Sequence, residues 1–69
     1  MTYEFEGLYI TTGGRILINA FLGYDNQFEC IVTDEMGTYD KEFYDKYDFK
    51  KWLKSLQILQ TIQVSERCF

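Results

Sequence analysis

Residues 34–56 decide the fold of this chain, and they read DEMGTYDKEFYDKYDFKKWLKSL. Within this stretch the spacing of the apolar residues changes. Tyr39 and Phe43 first alternate with charged residues, which is typical of a strand with one buried face. Apolar residues then recur every three or four positions, as on one face of a helix. That second spacing is carried by Phe49, Trp52, Leu53 and Leu56. The stretch therefore predicts a strand followed by an amphipathic helix of about three turns.

The boundaries of these elements carry turn and cap residues. Residues 34–37 end in Gly37, which predicts a turn with a positive φ at the glycine. The strand is predicted over residues 38–44, and its charged side chains suit the edge of a sheet. Asp45 or Asp48 can cap the helix by accepting hydrogen bonds from its first amides. The helix is predicted to fray after Ile58.

Three further strands are predicted upstream. Tyr3 and Phe5 alternate with glutamates, and a bulge or bend at Gly7 is expected to shift this alternation. Residues 15–22 are apolar on both faces, as in a central strand. The third strand has Phe28, Cys30 and Val32 on its core face, and turns are predicted at residues 11–14 and 23–26.

The resulting order is ββββαβ, with the final strand predicted over residues 61–67. We expect one α+β domain covering residues 1–69, because the chain is too short for a second domain. Its small antiparallel sheet has four to five strands, and the helix packs on one face. The final strand can be the fifth member of the sheet or can pair with a second copy, so a homodimer is an open alternative.

The charge is unevenly distributed along the 69 residues. The net charge is −4, but residues 1–48 carry −7 and residues 49–69 carry +3. Such acidity argues against duplex DNA binding, which requires lysines and arginines to replace counterions. The first residues show no basic and apolar signal segment, and no apolar run is long enough for a membrane span. We therefore expect a cytoplasmic protein with no membrane contact and with reduced cysteines.

Catalytic chemistry has little support in the sequence. The chain has no histidine, and Cys30 therefore has no imidazole partner that could activate it. The carboxylate spacing does not match a calcium loop, and the two cysteines do not match a zinc site. Residues 12–15 contain two glycines but lack the continuation of a phosphate-binding loop. We predict a protein that is not an enzyme and has no cofactor and no metal.

Between Asp34 and Phe49, six carboxylates are interleaved with five aromatic rings. Carboxylates on a protein surface can engage the arginines and lysines of a nucleic-acid-binding protein in place of phosphates. Exposed tyrosines add contact area at low entropic cost. We predict a partner-binding surface made of Asp34, Glu35, Asp40, Glu42, Tyr44, Asp45, Tyr47 and Asp48. The partner would be a protein with a basic, nucleic-acid-binding surface.

In size, charge and compact α+β make-up, the chain is similar to small acidic inhibitors from bacteriophages and other mobile elements, a group that includes anti-CRISPR proteins. This similarity implies a nucleic-acid mimic that blocks a host nuclease, CRISPR effector or repair enzyme. No family motif carries it. Two alternatives are a single-stranded nucleic-acid-binding module, in which tyrosines stack on bases, and a structural homo-oligomer subunit.

Overall fold

The computed structural model describes residues 2–23 and 27–68. The elements are β1 (Tyr3–Thr11), β2 (Gly14–Leu22), β3 (Phe28–Asp34), β4 (Gly37–Phe43), α1 (Lys46–Ser55) and β5 (Ile58–Cys68). The predicted order ββββαβ is confirmed. The turn predicted at residues 23–26 lies mostly outside the described residues, although the Gly23 amide donates to the Gln27 carbonyl at 2.8 Å.

The strands form one sheet in the order β4-β3-β2-β1-β5, and every neighbouring pair is antiparallel. β2 lies in the centre, as its apolar residues on both faces predict. The charged strand β4 lies at one edge, also as predicted. β5 pairs with β1 at the other edge and is therefore the fifth member of the sheet.

Helix α1 connects the two outermost strands and so crosses one face of the sheet, which we call the core face. Phe49 is fully buried there, and its ring centroid lies 5.1 Å from that of Phe5, 5.2 Å from Phe28 and 5.6 Å from Phe43. Packed aromatic rings bury much area per residue, which compensates for the small size of the chain. The buried residues of the core face are Tyr3, Phe5, Tyr9, Ile16, Ile18, Ala20, Phe28, Cys30 and Val32.

The prediction of a bulge or bend that shifts the register at Gly7 is wrong. Gly7 lies opposite Ile18 in an unbroken β1–β2 register, and the alternation of buried residues continues through it. The glycine instead leaves room for the ring of Tyr9, since a Cβ at residue 7 would lie 2.5 Å from Tyr9 Cε2. The register shifts of β1 occur in its pairing with β5, between Leu8 and Tyr9 and between Ile10 and Thr11.

Helix α1 is shorter than predicted, and β5 begins three residues earlier than predicted. The helix ends at Ser55, because Leu56 adopts an extended backbone at the C-cap and donates its amide to the Leu53 carbonyl. Ile58 packs against the core from a strand rather than from a helix. At the other end Asp45 is the N-cap, and its Oδ1 accepts the Asp48 amide at 2.9 Å.

Candidate protein-binding surface

The face of the sheet opposite the helix, which we call the open face, carries an acidic patch. Side chains of a strand alternate between the two faces. In β1, β3 and β4 the acidic residues other than Asp34, which ends β3, alternate with residues of the core face. Every one of these carboxylates therefore points to the open face. They are Glu4, Glu6, Glu29, Asp40 and Glu42.

Strand register arranges the patch in two rows that run from β4 to β5. The first row is Glu42, Glu29, Phe21, Glu4 and Arg67. The second row is Asp40, Ile31, Asn19, Glu6 and Ser65. Neighbouring strands are about 4.8 Å apart, and residues two apart on one strand are separated by about 7 Å. The carboxylates therefore lie at short, regular spacings around two apolar side chains.

Little positive charge lies within this patch. Arg67 Nη2 is 3.8 Å from Glu4 Oε2. Lys41, which belongs to the same strand as Asp40 and Glu42, extends over the core face, where its Nζ lies 5.7 Å and 5.6 Å from the ring centroids of Phe43 and Trp52. Glu29 and Glu42 are direct cross-strand partners, an arrangement of like charges that destabilises a sheet.

Apolar side chains continue from the patch along the open face. Leu8 and Leu17 are cross-strand partners in the next row, and they are half-buried like Phe21 and Ile31. Two shallow depressions flank Phe21, one lined by Glu4, Glu6 and Asn19 and the other by Glu29, Ile31 and Asp40. No helix or strand of residues 2–23 and 27–68 covers this face, so it presents both charge and apolar area to solvent.

The structure divides the eight residues of the predicted binding surface into three groups. Asp40 and Glu42 lie on the open face. Asp34 ends β3 and Glu35 lies in the β3–β4 turn, and Asp34 Oδ1 accepts the Met36 amide at 2.8 Å. The length of β4, about 20 Å, separates this turn from the third group, at the start of α1.

That third group is Tyr44, Asp45, Tyr47 and Asp48. Asp45 is engaged as the helix cap. Tyr44 and Tyr47 are 89% and 70% exposed, and Lys51 Nζ lies 5.8 Å from the ring centroid of Tyr47. The structure therefore does not bring the eight residues together on one surface.

Three carboxylates of the patch were missing from the predicted surface, namely Glu4, Glu6 and Glu29. In the sequence, these three residues are indicated by the alternation of acidic residues with residues of the core face. Each of them neighbours residues that point to the core face, as Asp40 and Glu42 neighbour Tyr39 and Phe43 on β4. Because all core residues of a sheet share the face that the helix covers, the acids between them must share the other face.

The titratable groups of the core face have structural roles. Tyr3 donates a hydrogen bond to Glu66 Oε2, and Lys50 Nζ lies 2.7 Å from the same oxygen. Lys50 and Tyr3 hold the pKa of Glu66 below its ordinary value, while burial and Glu66 raise the pKa of Tyr3. Burial raises the pKa of Cys30 to about 11, so its thiol remains protonated and unreactive near neutral pH.

Within the described part of the chain, no three His, Cys, Asp or Glu side chains converge as ligands for a metal. No helix of that part is long and apolar enough to cross a membrane. Comparison with known proteins found no matching protein-family model, no matching curated protein and no matching solved structure.

Proposed function

We propose that this chain is a small acidic protein-binding module whose open face docks on a basic surface of a larger protein. One observation carries the proposal: five carboxylates surround Phe21 and Ile31 on a sheet face that no other described element covers. Carboxylates spaced about 5–7 Å apart can each accept hydrogen bonds from arginine or lysine. The apolar side chains between them supply contact area that water would leave on docking.

The most specific form of this proposal is an inhibitor that occupies the nucleic-acid site of an enzyme or effector complex. Such sites are lined with arginine and lysine because they neutralise phosphates. A rigid sheet that presents carboxylates in rows would offer these arginines and lysines a pattern of negative charge similar to that of the phosphates. The acidic surroundings of Phe21 favour a protein partner over single-stranded nucleic acid, because base stacking is normally combined with a positive groove.

The test compares two variants of the same hairpin. Asp40→Lys/Glu42→Lys reverses two charges on the open face, and Asp34→Lys/Glu35→Lys makes the same change of net charge at the end of β3 and in the following turn. Each variant and the native protein serve as baits in nuclease-treated bacterial lysate, and circular dichroism confirms that the baits are folded. A retained partner is then titrated with each bait.

We expect the native protein and the turn variant to retain the same basic, nucleic-acid-handling protein at a fixed stoichiometry. The open-face variant should bind it at least about tenfold more weakly, because charge reversal places like charges against the basic partner. Equal affinity of the two folded variants would contradict the proposed surface. Retention of no specific protein by the native bait would contradict the proposed function.

A further inference from the structure

The two edges of the sheet differ in how they are protected against pairing with another strand. β4 is seven residues long and carries Asp40, Lys41 and Glu42 in its second half. β5 is eleven residues long, and residues 58–65 contain no charged residue and no proline. Charges, prolines, bulges and short length are the usual means by which an edge strand avoids new partners. Residues 58–65 of β5 have no charge and no proline, and the register shifts against β1 are confined to the first half of the strand.

Apolar side chains are exposed along the same strand. Leu59, Ile62 and Val64 are 69%, 45% and 48% exposed. The two register shifts against β1 fall in the first half of β5, whereas Gln63 to Cys68 pair with β1 without interruption. The described residues pair β5 with β1 alone, so one side of this strand has no neighbouring strand.

We propose that this side of β5 pairs with β5 of a second copy of the chain. Antiparallel pairing of a strand with itself is the arrangement that two-fold symmetry requires, because each copy then presents the same residues to the other. Backbone amides and carbonyls of both edges would gain partners. The exposed apolar residues would meet their symmetry equivalents across the seam.

Charge permits a second copy to pair at β5, although each molecule is acidic overall. Two molecules that each carry −4 repel when their acidic surfaces approach. Residues 58–65 are the uncharged part of the sheet edge, and the nearest charged residues on β5, Glu66 and Arg67, have opposite signs. A second copy can therefore approach β5 without placing carboxylates opposite carboxylates.

This pairing would produce one continuous ten-stranded sheet. Residues paired across an antiparallel seam point to the same face, so both helices would lie on one side and both open faces on the other. The two acidic patches would then form a single surface for a basic partner. This last consequence rests on the proposed function, whereas the pairing does not.

The first measurement is the molar mass of the native protein by light scattering after size exclusion, over a wide range of concentration. We expect a concentration-dependent rise from 8.3 kDa to twice that mass. Amide hydrogen exchange of the same samples should slow in β5, and not in β4, as the concentration rises. A monomer at every concentration, or protection that does not reach β5, would overturn the proposal.

Substitutions in β5 then test whether the two copies pair through this strand. Ile62→Lys/Val64→Lys should lower the mass to that of the monomer, because buried ammonium groups would face each other. Tyr39→Lys is the control, since Tyr39 is 47% exposed on the opposite edge strand, and it should leave the dimer intact. If the double variant is unfolded by circular dichroism, Leu59→Lys replaces it, at the most exposed of the three positions. A dimer that persists in the folded β5 variant would overturn the proposal.

Discussion

At the scale of single residues, the ring of Tyr9 occupies the space that a side chain at residue 7 would need. Tyr9 is buried, so its ring cannot move away without disturbing the core. The identity of residue 7 is therefore fixed by its neighbour two positions along the same strand. A pattern of alternating residues does not reveal this, because glycine in a strand indicates either a bulge or a close approach. At Gly7 the reason is the close approach of the Tyr9 ring to the backbone.

We predict that Gly7→Ala lowers the free energy of unfolding by about 1–3 kcal/mol, because the new methyl group would overlap the Tyr9 ring. Urea unfolding followed by Trp52 fluorescence would measure it. Gly13→Ala is the control, since a Cβ there meets only Thr11 Oγ1, at 3.8 Å. Equal stability of the two variants would show that Tyr9 can move aside.

Glu66 should make the stability of the domain depend on pH. Lys50 and Tyr3 lower its pKa from the ordinary value of 4.5, so its stabilising contribution is present above pH 4.5 and is lost as the pH falls through the lowered value. We expect Glu66→Gln to remove this contribution, about 0.5–1 kcal/mol for a partly exposed group. Urea unfolding of both proteins from pH 7 to pH 3 would measure it. A constant difference between them at all pH values would contradict the prediction.

At the scale of elements, alternation and turn residues were sufficient to predict the strands, but not which of their side chains share a surface. The sequence places Asp34 and Asp48 near each other along the chain, yet β4 separates their positions by about 20 Å. Glu4 and Glu42 are distant in sequence, and the sheet aligns them in one row. Strand order, which depends on long-range pairing, was needed to assemble the patch. The helix end was missed because Leu56 and Ile58 are apolar in either a helix or a strand.

Substitutions of Asp45 distinguish its role as the N-cap of α1 from a role in partner binding. Asp45→Ala should lower the free energy of unfolding by about 1 kcal/mol, because the Asp48 amide loses its acceptor. Asp45→Asn keeps an acceptor oxygen and should stay within about 0.5 kcal/mol of the native value. Thermal unfolding would measure both. If the open face is the binding surface, the Asn variant should also bind the partner with native affinity, and a loss of binding would instead assign Asp45 to the interface.

At the scale of the whole molecule, the acidic patch lies on the face of the sheet opposite three of the lysines. The open face carries the carboxylates of three strands, while Lys41, Lys46 and Lys50 extend over rings of the core face. Exchanging Glu29 or Glu42 for a lysine would relieve the repulsion between these two residues. A cost in stability from these like charges is what the proposed binding role of the open face predicts.

This trade-off is testable with one neutral substitution. Glu29→Gln removes the like-charge pair with Glu42 while keeping the size of the side chain. We expect the free energy of unfolding to rise by about 0.2–1 kcal/mol at low salt, and the gain to shrink as salt screens the native repulsion. The same variant should bind the partner more weakly. Glu35→Gln in the β3–β4 turn is the control and should change neither quantity. If Glu29→Gln is more stable but binds the partner as the native protein does, the repulsion has no role in binding, and Glu29 is not part of the docking surface.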